Sequence, residues 1–196
     1  MARELEKAAH AVLTHVCGSV IGTPDWLIRP GRVECCGQWS MVKEIYRALT
    51  GYQLPGIMPR REWRRVDGVF RGTAGQAFIF ELDEKQHFNE FRATTIGLYP
   101  RELRLGFSKS LWMERCLSKR KLEGGSFARP KPPLFPGPNG RHRQRAFRDA
   151  LTDLLPAEYG FAPTLRLADI EIRDWIFGAD AADRMAALLS NRLGVS

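Results

Sequence analysis

The stretch AFIFELDEKQHF, residues 77–88, carries the strongest structural signal in the chain. Its aromatic and branched apolar residues are typical of a buried β-strand, and the polar tail marks the end of that strand. Side chains alternate along a strand, so Glu81 and Asp83 are predicted to share one face while the alternate aromatic residues face the core. Two neighbouring carboxylates on one face are costly without a cation, so the stretch predicts a metal site.

A second strand is predicted over residues 62–70, and the Gly-Thr-Ala-Gly sequence at 72–75 is suited to a hairpin loop between the two strands. This hairpin would bring Asp67 beside Glu81, so that with Asp83 three carboxylates converge. Such oxygen ligands suit Mg²⁺ or Mn²⁺, which can orient a water and stabilise charge on a phosphate. The alternative for each carboxylate is a solvent-facing strand end, and an Asp-Gly pair is by itself typical of a turn.

The segments RRVDGV (64–69) and FELDEKQHF (80–88) together resemble the PD-(D/E)XK nuclease superfamily. They are most similar to the branch with a Glu-x-Asp-Gly-x-Gln-His block, which includes relatives of very-short-patch repair endonucleases and many restriction-type proteins. The resemblance implies a restriction-endonuclease-like fold and metal-dependent hydrolysis of phosphodiester bonds. It favours DNA as the substrate, in restriction, repair or mobile-element defence, with RNA as the other possibility.

The resemblance also assigns roles to individual residues. The metal ligands of the superfamily correspond to Asp67, Glu81 and Asp83. A role in positioning water or contacting phosphate falls to Gln86 and His87. Such folds often carry an acidic residue on the helix before the first strand, and on the predicted helix 41–49 this residue is Glu44, for which a solvent-facing position is the alternative.

Two departures from the superfamily pattern keep a second function open. The superfamily lysine, two residues after the second acid, is absent because Asp83 stands there. Lys85 could supply the positive charge from two positions further on, or Asp83 with the metal could replace it. The glycine of the branch is replaced by Glu84. The alternative to a nuclease is therefore a non-catalytic nucleic-acid-binding protein that keeps the fold.

The charge distribution points to a polyanionic partner. The net charge is +8, and residues 101–149 contain 13 Lys and Arg against 4 Asp and Glu. A concentrated basic region is typical of nucleic-acid binding, although a solvated basic face would look the same. Arginine suits phosphate because its planar group donates two hydrogen bonds at once. The candidate phosphate contacts are Arg60, Arg61, Arg64, Arg65, Arg141, Arg143, Arg145 and Arg148. Trp63 and Trp112 could stack on bases or lie in the core.

The remaining patterns predict one α/β domain over residues 1–196, with a central mixed β-sheet flanked by helices. An N-terminal helical segment covers 1–39, and a basic, Pro- and Gly-rich insertion covers about 92–140. Helices are predicted at 3–17, 41–49, 109–121, 141–155 and 181–193, with a strand at 164–172 and a short one near 26–28. The last helix could serve as a homodimer interface or pack on the sheet.

The sequence also favours a cytoplasmic protein without membrane contact. It has no apolar run long enough to span a bilayer, and its N-terminus lacks the apolar core of a signal peptide. Its 4 cysteines match no common zinc pattern, so reduced thiols are expected. A structural zinc site is the alternative, and its candidate ligands are His10, His15, Cys17, Cys35 and Cys36.

Overall fold

A computed structural model describes residues 2–118 and 121–194 of the protein. The strands in this part of the chain are β1 (Ser19–Val20), β2 (Gly68–Arg71), β3 (Ala77–Asp83) and β4 (Leu165–Ala168). The α-helices are α1 (Ala2–Cys17), α2 (Asp25–Ile28), α3 (Trp39–Thr50), α4 (Glu90–Leu98), α5 (Lys109–Ser118), α6 (Gly140–Leu154), α7 (Asp169–Ile172) and α8 (Ala181–Leu193).

The four strands form one mixed sheet in the order β1-β2-β3-β4. The β2–β3 hairpin is antiparallel and pairs Gly68 with Phe80, as the Gly-rich loop predicts. Strand β4 runs parallel to β3 and places Arg166 opposite Glu81. Helices cover both faces, so the predicted α/β class with a helix-flanked mixed sheet is confirmed.

The alternation of β3 divides the core into two layers. Phe78, Phe80 and Leu82 are buried against α1 and α8, as the alternation predicts. The apolar face of α8 is buried in this layer, where the helix packs against α1, so it does not form an exposed homodimer surface. The opposite face of the sheet lies towards α6, which packs with α3 and α4 in a second layer.

The first predicted strand is shorter than expected. Strand β2 begins at Gly68, and residues 60–62 form a 3-10 turn instead of extended chain. The reason is that Arg64 bonds elsewhere: its backbone N–H donates to Ile28 O at 3.1 Å and its Nε to Leu27 O at 2.8 Å. These bonds tie the segment to α2, which forms at residues 25–28 where a short strand was predicted.

The strand predicted at 164–172 is wrong in its second half. It ends at Ala168, and α7 follows directly. Carboxylates turn the chain here: the N–H of Ala168 donates to Glu171 Oε2 and the N–H of Ile170 to Asp169 Oδ1, both at 2.8 Å. Acidic side chains that accept from free N–H groups stabilise a helix start, which outweighs the alternating apolar pattern.

Part of the predicted insertion at 92–140 belongs to the main core. Helix α4 packs against α3, α5 and α6, and Ile96 and Trp112 are fully buried. Helix α5 ends at Ser118 where helix was predicted to 121, and residues 119 and 120 lie outside the described part of the chain. Within the Pro- and Gly-rich part, residues 125–127 form a 3-10 turn and residues 128–139 form a loop. Within the described ranges, no helix has the length and apolar character needed to cross a membrane.

Candidate active site

A cleft of about 250 Å³ opens where the end of β3 meets α6. Its residues fall into two groups of opposite charge. The acidic group consists of Glu6, Asp67, Glu81, Glu84 and Asp149, and the basic group consists of Arg64, Arg65, Arg141, Arg145 and Arg148. Leu82, Gln86 and His87 complete the lining. The structure thus places four of the predicted catalytic residues and five of the predicted phosphate-binding arginines around one cleft.

Asp67 and Glu81 are the neighbouring carboxylates of the cleft, and the charge of Arg166 also acts on Glu81. Asp67 lies just before β2, and its Oδ2 accepts from the backbone N–H of Leu82 at 2.8 Å. Burial raises the pKa of Asp67 to about 6, against the lowering effect of that hydrogen bond. Burial and the nearby charge of Asp67 raise the pKa of Glu81 well above its usual value. Two such carboxylates are stabilised together by a cation, and their oxygens are the donors that Mg²⁺ and Mn²⁺ prefer.

Asp83 shares the face of Glu81, as predicted, but it is closed off from the cleft. Its side chain is 0% exposed. Oδ1 accepts from Arg166 Nη1 at 2.6 Å, and Oδ2 accepts from Trp112 Nε1 at 2.7 Å. With both oxygens bound by protein donors, Asp83 holds the structure together and does not line the cleft beside Glu81. Trp112 is fully buried in this contact, so it is a core residue and does not stack on bases.

Arg166 is the centre of a buried ion network behind the cleft. Its Nε donates to Asp153 Oδ1 at 2.7 Å, and its Nη2 donates to Thr152 Oγ1 at 2.9 Å. Arg92 adds a second cation, with its Nη2 2.6 Å from Asp153 Oδ2. Burial alone would lower the pKa of Arg166, but the surrounding carboxylates raise it well above its usual value. Within this network Arg166 and the carboxylates are bound to one another, while Arg92 Nε has no hydrogen-bond partner.

His87 joins the buried network to the cleft. Its Nδ1 lies 3.1 Å from Asp149 Oδ2 and 3.4 Å from Asp83 Oδ1. Burial alone would raise the pKa of Asp149, but the charges of His87 and Arg166 hold it below its usual value. Ligand atoms of these three residues lie within 4.8 Å of one another, a spacing that a metal ion could bridge. The guanidinium of Arg166 already supplies the cation there, so Asp67 and Glu81 fit an ion better.

The arginines of the cleft keep donors unused. Arg64 is only 5% exposed, and its Nη1 donates to Arg148 O at 2.6 Å. Three buried guanidinium nitrogens, Arg64 Nη2, Arg145 Nη1 and Arg148 Nε, have no hydrogen-bond partner. Burial and the charges of Arg145 and Arg148 lower the pKa of Arg141 to about 10. Unpartnered buried donors beside crowded positive charges suit an anionic ligand.

Several predicted site residues lie away from the cleft. Lys85 is exposed and lines a separate depression with Arg173 and Phe177. Glu44 is exposed on α3 and does not line the cleft. The other residues outside the lining are Arg60, Arg61 and Arg143. Trp63 is 50% exposed, and the guanidinium carbon of Arg65 lies 5.0 Å from the centroid of its ring.

Four lining residues were not predicted as site residues from the sequence: Glu6, Leu82, Glu84 and Asp149. Glu6 comes from α1 and lines the cleft, whereas the predicted helix acid Glu44 does not. Asp149 lies on α6 and is only 4% exposed. The sequence does contain a signal for Asp149. This residue lies three positions after Ala146 and one before Ala150, so it falls on the apolar face of an amphipathic helix. A buried acid at such a position needs a partner, and that partner lies on β4.

No model of a known protein family, no curated protein and no solved structure matches this chain. The resemblance to PD-(D/E)XK nucleases therefore rests on residues 64–69 and 80–88.

Proposed function

We propose that the protein is a metal-dependent endonuclease that hydrolyses phosphodiester bonds in DNA, with its chemistry in the cleft at the end of β3. The observation that carries the proposal is the division of that cleft. Asp67 and Glu81, two carboxylates with raised pKa values, share it with arginines that have unused buried donors. The same cleft therefore suits a divalent cation and a phosphate, which are the two components of such a reaction.

The roles of the residues follow from their positions. Asp67 and Glu81 would hold Mg²⁺ or Mn²⁺, and that ion would supply Lewis-acid chemistry at the phosphate. Arg64 and Arg145 donate from unpartnered nitrogens to the phosphate oxygens and stabilise the charge that grows there. Gln86 lines the cleft and orients the attacking water.

His87 is the residue best placed to accept a proton. Its Nδ1 lies 3.1 Å from Asp149 Oδ2 and 3.4 Å from Asp83 Oδ1, so in the neutral ring the proton would be on Nδ1 and Nε2 would be the acceptor. The oxygen of the water bonds to phosphorus, its proton passes to Nε2, and the bond from phosphorus to the leaving ester oxygen breaks, after which that oxygen takes a proton from solvent water. Asp149 orients the ring.

A second function is favoured by one specific observation. Among the described lining residues no lysine is present, and the position of the superfamily lysine is taken by the buried Asp83. The rival is a nucleic-acid-binding protein in which the cleft holds phosphate without cleaving it. In that case the carboxylates balance the positive charge of the arginines. Replacing the carboxylates would then change no cleavage rate, because the protein would not cleave nucleic acid.

The test is cleavage of supercoiled plasmid and single-stranded DNA with Mg²⁺, with Mn²⁺ and with chelator. Wild type is compared with Glu81→Gln and with the matched variant Glu44→Gln, whose side chain is exposed elsewhere. We expect metal-dependent cleavage that is lost in Glu81→Gln and kept in Glu44→Gln. Absence of cleavage, together with DNA binding that weakens as salt rises, would support the binding protein instead. An RNA substrate in parallel decides between the two nucleic acids.

A further inference from the structure

A second basic pocket adjoins the cleft on the side of the proline-rich loop. Its volume is about 470 Å³, and its cationic residues are Arg61, Arg129, Lys131, Arg141 and Arg148. Arg141 and Arg148 line both this pocket and the cleft. The two sites are therefore one continuous basic surface, and a chain of phosphates could pass from one to the other.

The loop that supplies Arg129 and Lys131 is anchored to the core. Leu134 and Phe135 are buried, and Tyr46 Oη donates to Leu134 O at 2.7 Å. The N–H of Phe135 donates to Lys131 O at 2.8 Å, which closes a short turn around the exposed prolines. These contacts hold the basic residues of the loop at a defined place, so they act as a built part of the surface.

The start of α6 brings the loop against the helix. The N–H of Arg141 donates to Arg129 O at 2.9 Å. At Gly140 a Cβ would lie 2.3 Å from Phe135 O and 2.8 Å from Lys131 N, so only glycine permits this approach. The close contact sets Arg129 and Lys131 beside the arginines that α6 carries into the cleft.

The charge of the second pocket is unbalanced. Five cationic side chains face one carboxylate, Glu62. That carboxylate is already bound, since Gln144 Nε2 donates to Oε2 at 2.9 Å and Arg148 Nη2 donates to it at 3.1 Å. Burial and the charges of Arg129, Arg141 and Arg148 lower the pKa of Lys131. An anion in the pocket would relieve this repulsion.

We propose that Arg129 and Lys131, with Arg61, form a second phosphate-binding subsite, which holds the backbone phosphate next to the one in the cleft. The inference rests on the proposed function in taking the ligand to be a polymeric phosphodiester. In this proposal, residues 128–135 bind the nucleic-acid strand beyond the reacting bond. A substrate with one phosphate would not use this subsite.

The first arm of the test measures binding without catalysis. A fluorescent oligonucleotide duplex is titrated in chelator at several KCl concentrations with wild type, with Arg129→Gln/Lys131→Gln and with Arg101→Gln/Arg104→Gln. The last variant removes the same charge from exposed residues that do not line either pocket. We expect the loop variant to bind roughly tenfold more weakly at 50 mM KCl, with a salt slope shallower by roughly 1 to 2. The control variant is expected to stay near wild type.

The second arm uses bis(4-nitrophenyl) phosphate, a diester with a single phosphate. The loop variant is expected to hydrolyse it within about twofold of wild type, while its KM for the oligonucleotide rises roughly tenfold. Wild-type affinity and salt slope in the loop variant, or an equal loss in the control variant, would overturn the subsite. If no diester is cleaved but the binding difference is found, the proposed nuclease fails and the subsite stands.

Discussion

The cleft and the ion network behind it are built from the same residue types. They differ in how many of their charged groups are paired with other groups of the protein. Behind the cleft, Asp83 is bound through both oxygens, and Arg166 is surrounded by carboxylates at 2.6 and 2.7 Å. In the cleft, two residues back along the same strand, Glu81 shares its space with Asp67 and the nearby arginines keep unpartnered donors. In the network, Asp83 and Asp153 are bound by cations of the protein itself, whereas we propose that the cleft takes up a cation and an anion.

This difference separates residues that stabilise the fold from residues that act on a ligand. Removing one partner of a buried ion pair leaves an uncompensated charge, at a cost of about 3–5 kcal/mol. Neutralising a carboxylate whose pKa is raised by burial and by a neighbouring like charge removes a repulsion, so the same kind of substitution can stabilise the protein while abolishing function.

The largest expected effect is on the network. Arg166→Met leaves Asp83, Asp149 and Asp153 buried without their shared cation, so we expect the free energy of unfolding to fall by about 3–5 kcal/mol. Urea unfolding followed by circular dichroism measures the loss. The matched variant Arg184→Met removes an exposed pair with Asp180 at the same 2.6 Å distance, and it should cost less than about 1 kcal/mol. Equal losses in the two variants would contradict a special role for the buried network.

The next effect is on catalysis. We expect Glu81→Gln to lower the rate of metal-dependent cleavage by at least about 100-fold, because an amide is a much weaker ligand than a carboxylate for a hard cation. Its unfolding free energy in chelator should equal or exceed that of wild type. A variant that is both inactive and destabilised by several kcal/mol would place Glu81 in the same structural class as Asp83.

A smaller effect is expected on the pH dependence of stability. The folded pKa of Asp67 is about 6, above its usual value of 3.8, so ionisation disfavours folding as pH rises from about 4 to 6. Asp67→Asn removes this penalty. Measured in chelator, the variant should match wild type near pH 4 and exceed it by about 1–3 kcal/mol at pH 7. A constant difference at all pH values would show that Asp67 is not the group that titrates.

The smallest effects are expected at two predicted catalytic residues outside the cleft. Lys85→Gln and Glu44→Gln should cleave DNA at rates within about twofold of wild type, since neither side chain lines the cleft. Arg145→Gln provides the contrast inside the cleft and should weaken cleavage by about tenfold or more. A large loss in Lys85→Gln would restore that residue to the role of the superfamily lysine.

The sequence predicts strand β3 more accurately than it predicts the neighbouring segments. Strand β3 forms over the predicted residues 77–83, because its apolar run and its alternation agree. The alternation also puts Glu81 and Asp83 on one face. It does not show which carboxylate a neighbour closes off, since Arg166 and Trp112 are 83 and 29 residues away along the chain from Asp83. The sequence therefore does not distinguish a carboxylate that acts on a ligand from one that stabilises the fold.

The mispredicted segments share one physical cause. The chain at 62–67 and at 169–172 has strand-like composition, but polar contacts decide its path: Arg64 bonds to the backbone near α2, and Glu171 bonds to the start of α7. Glu6 was missed because an acid on the polar side of α1 is indistinguishable from a solvated one until the sheet is placed beside it. Local sequence patterns show which face of a helix or strand is apolar. The contacts described here depend on residues that only the tertiary structure brings together.

The most direct test of the central claim is a calorimetric titration of Mn²⁺ into wild type, Glu81→Gln and Glu44→Gln without nucleic acid. We expect saturable Mn²⁺ binding to wild type and to Glu44→Gln, and at least about a tenfold weaker affinity in Glu81→Gln. Equal Mn²⁺ affinity in all three proteins would contradict the assignment of the metal to Asp67 and Glu81.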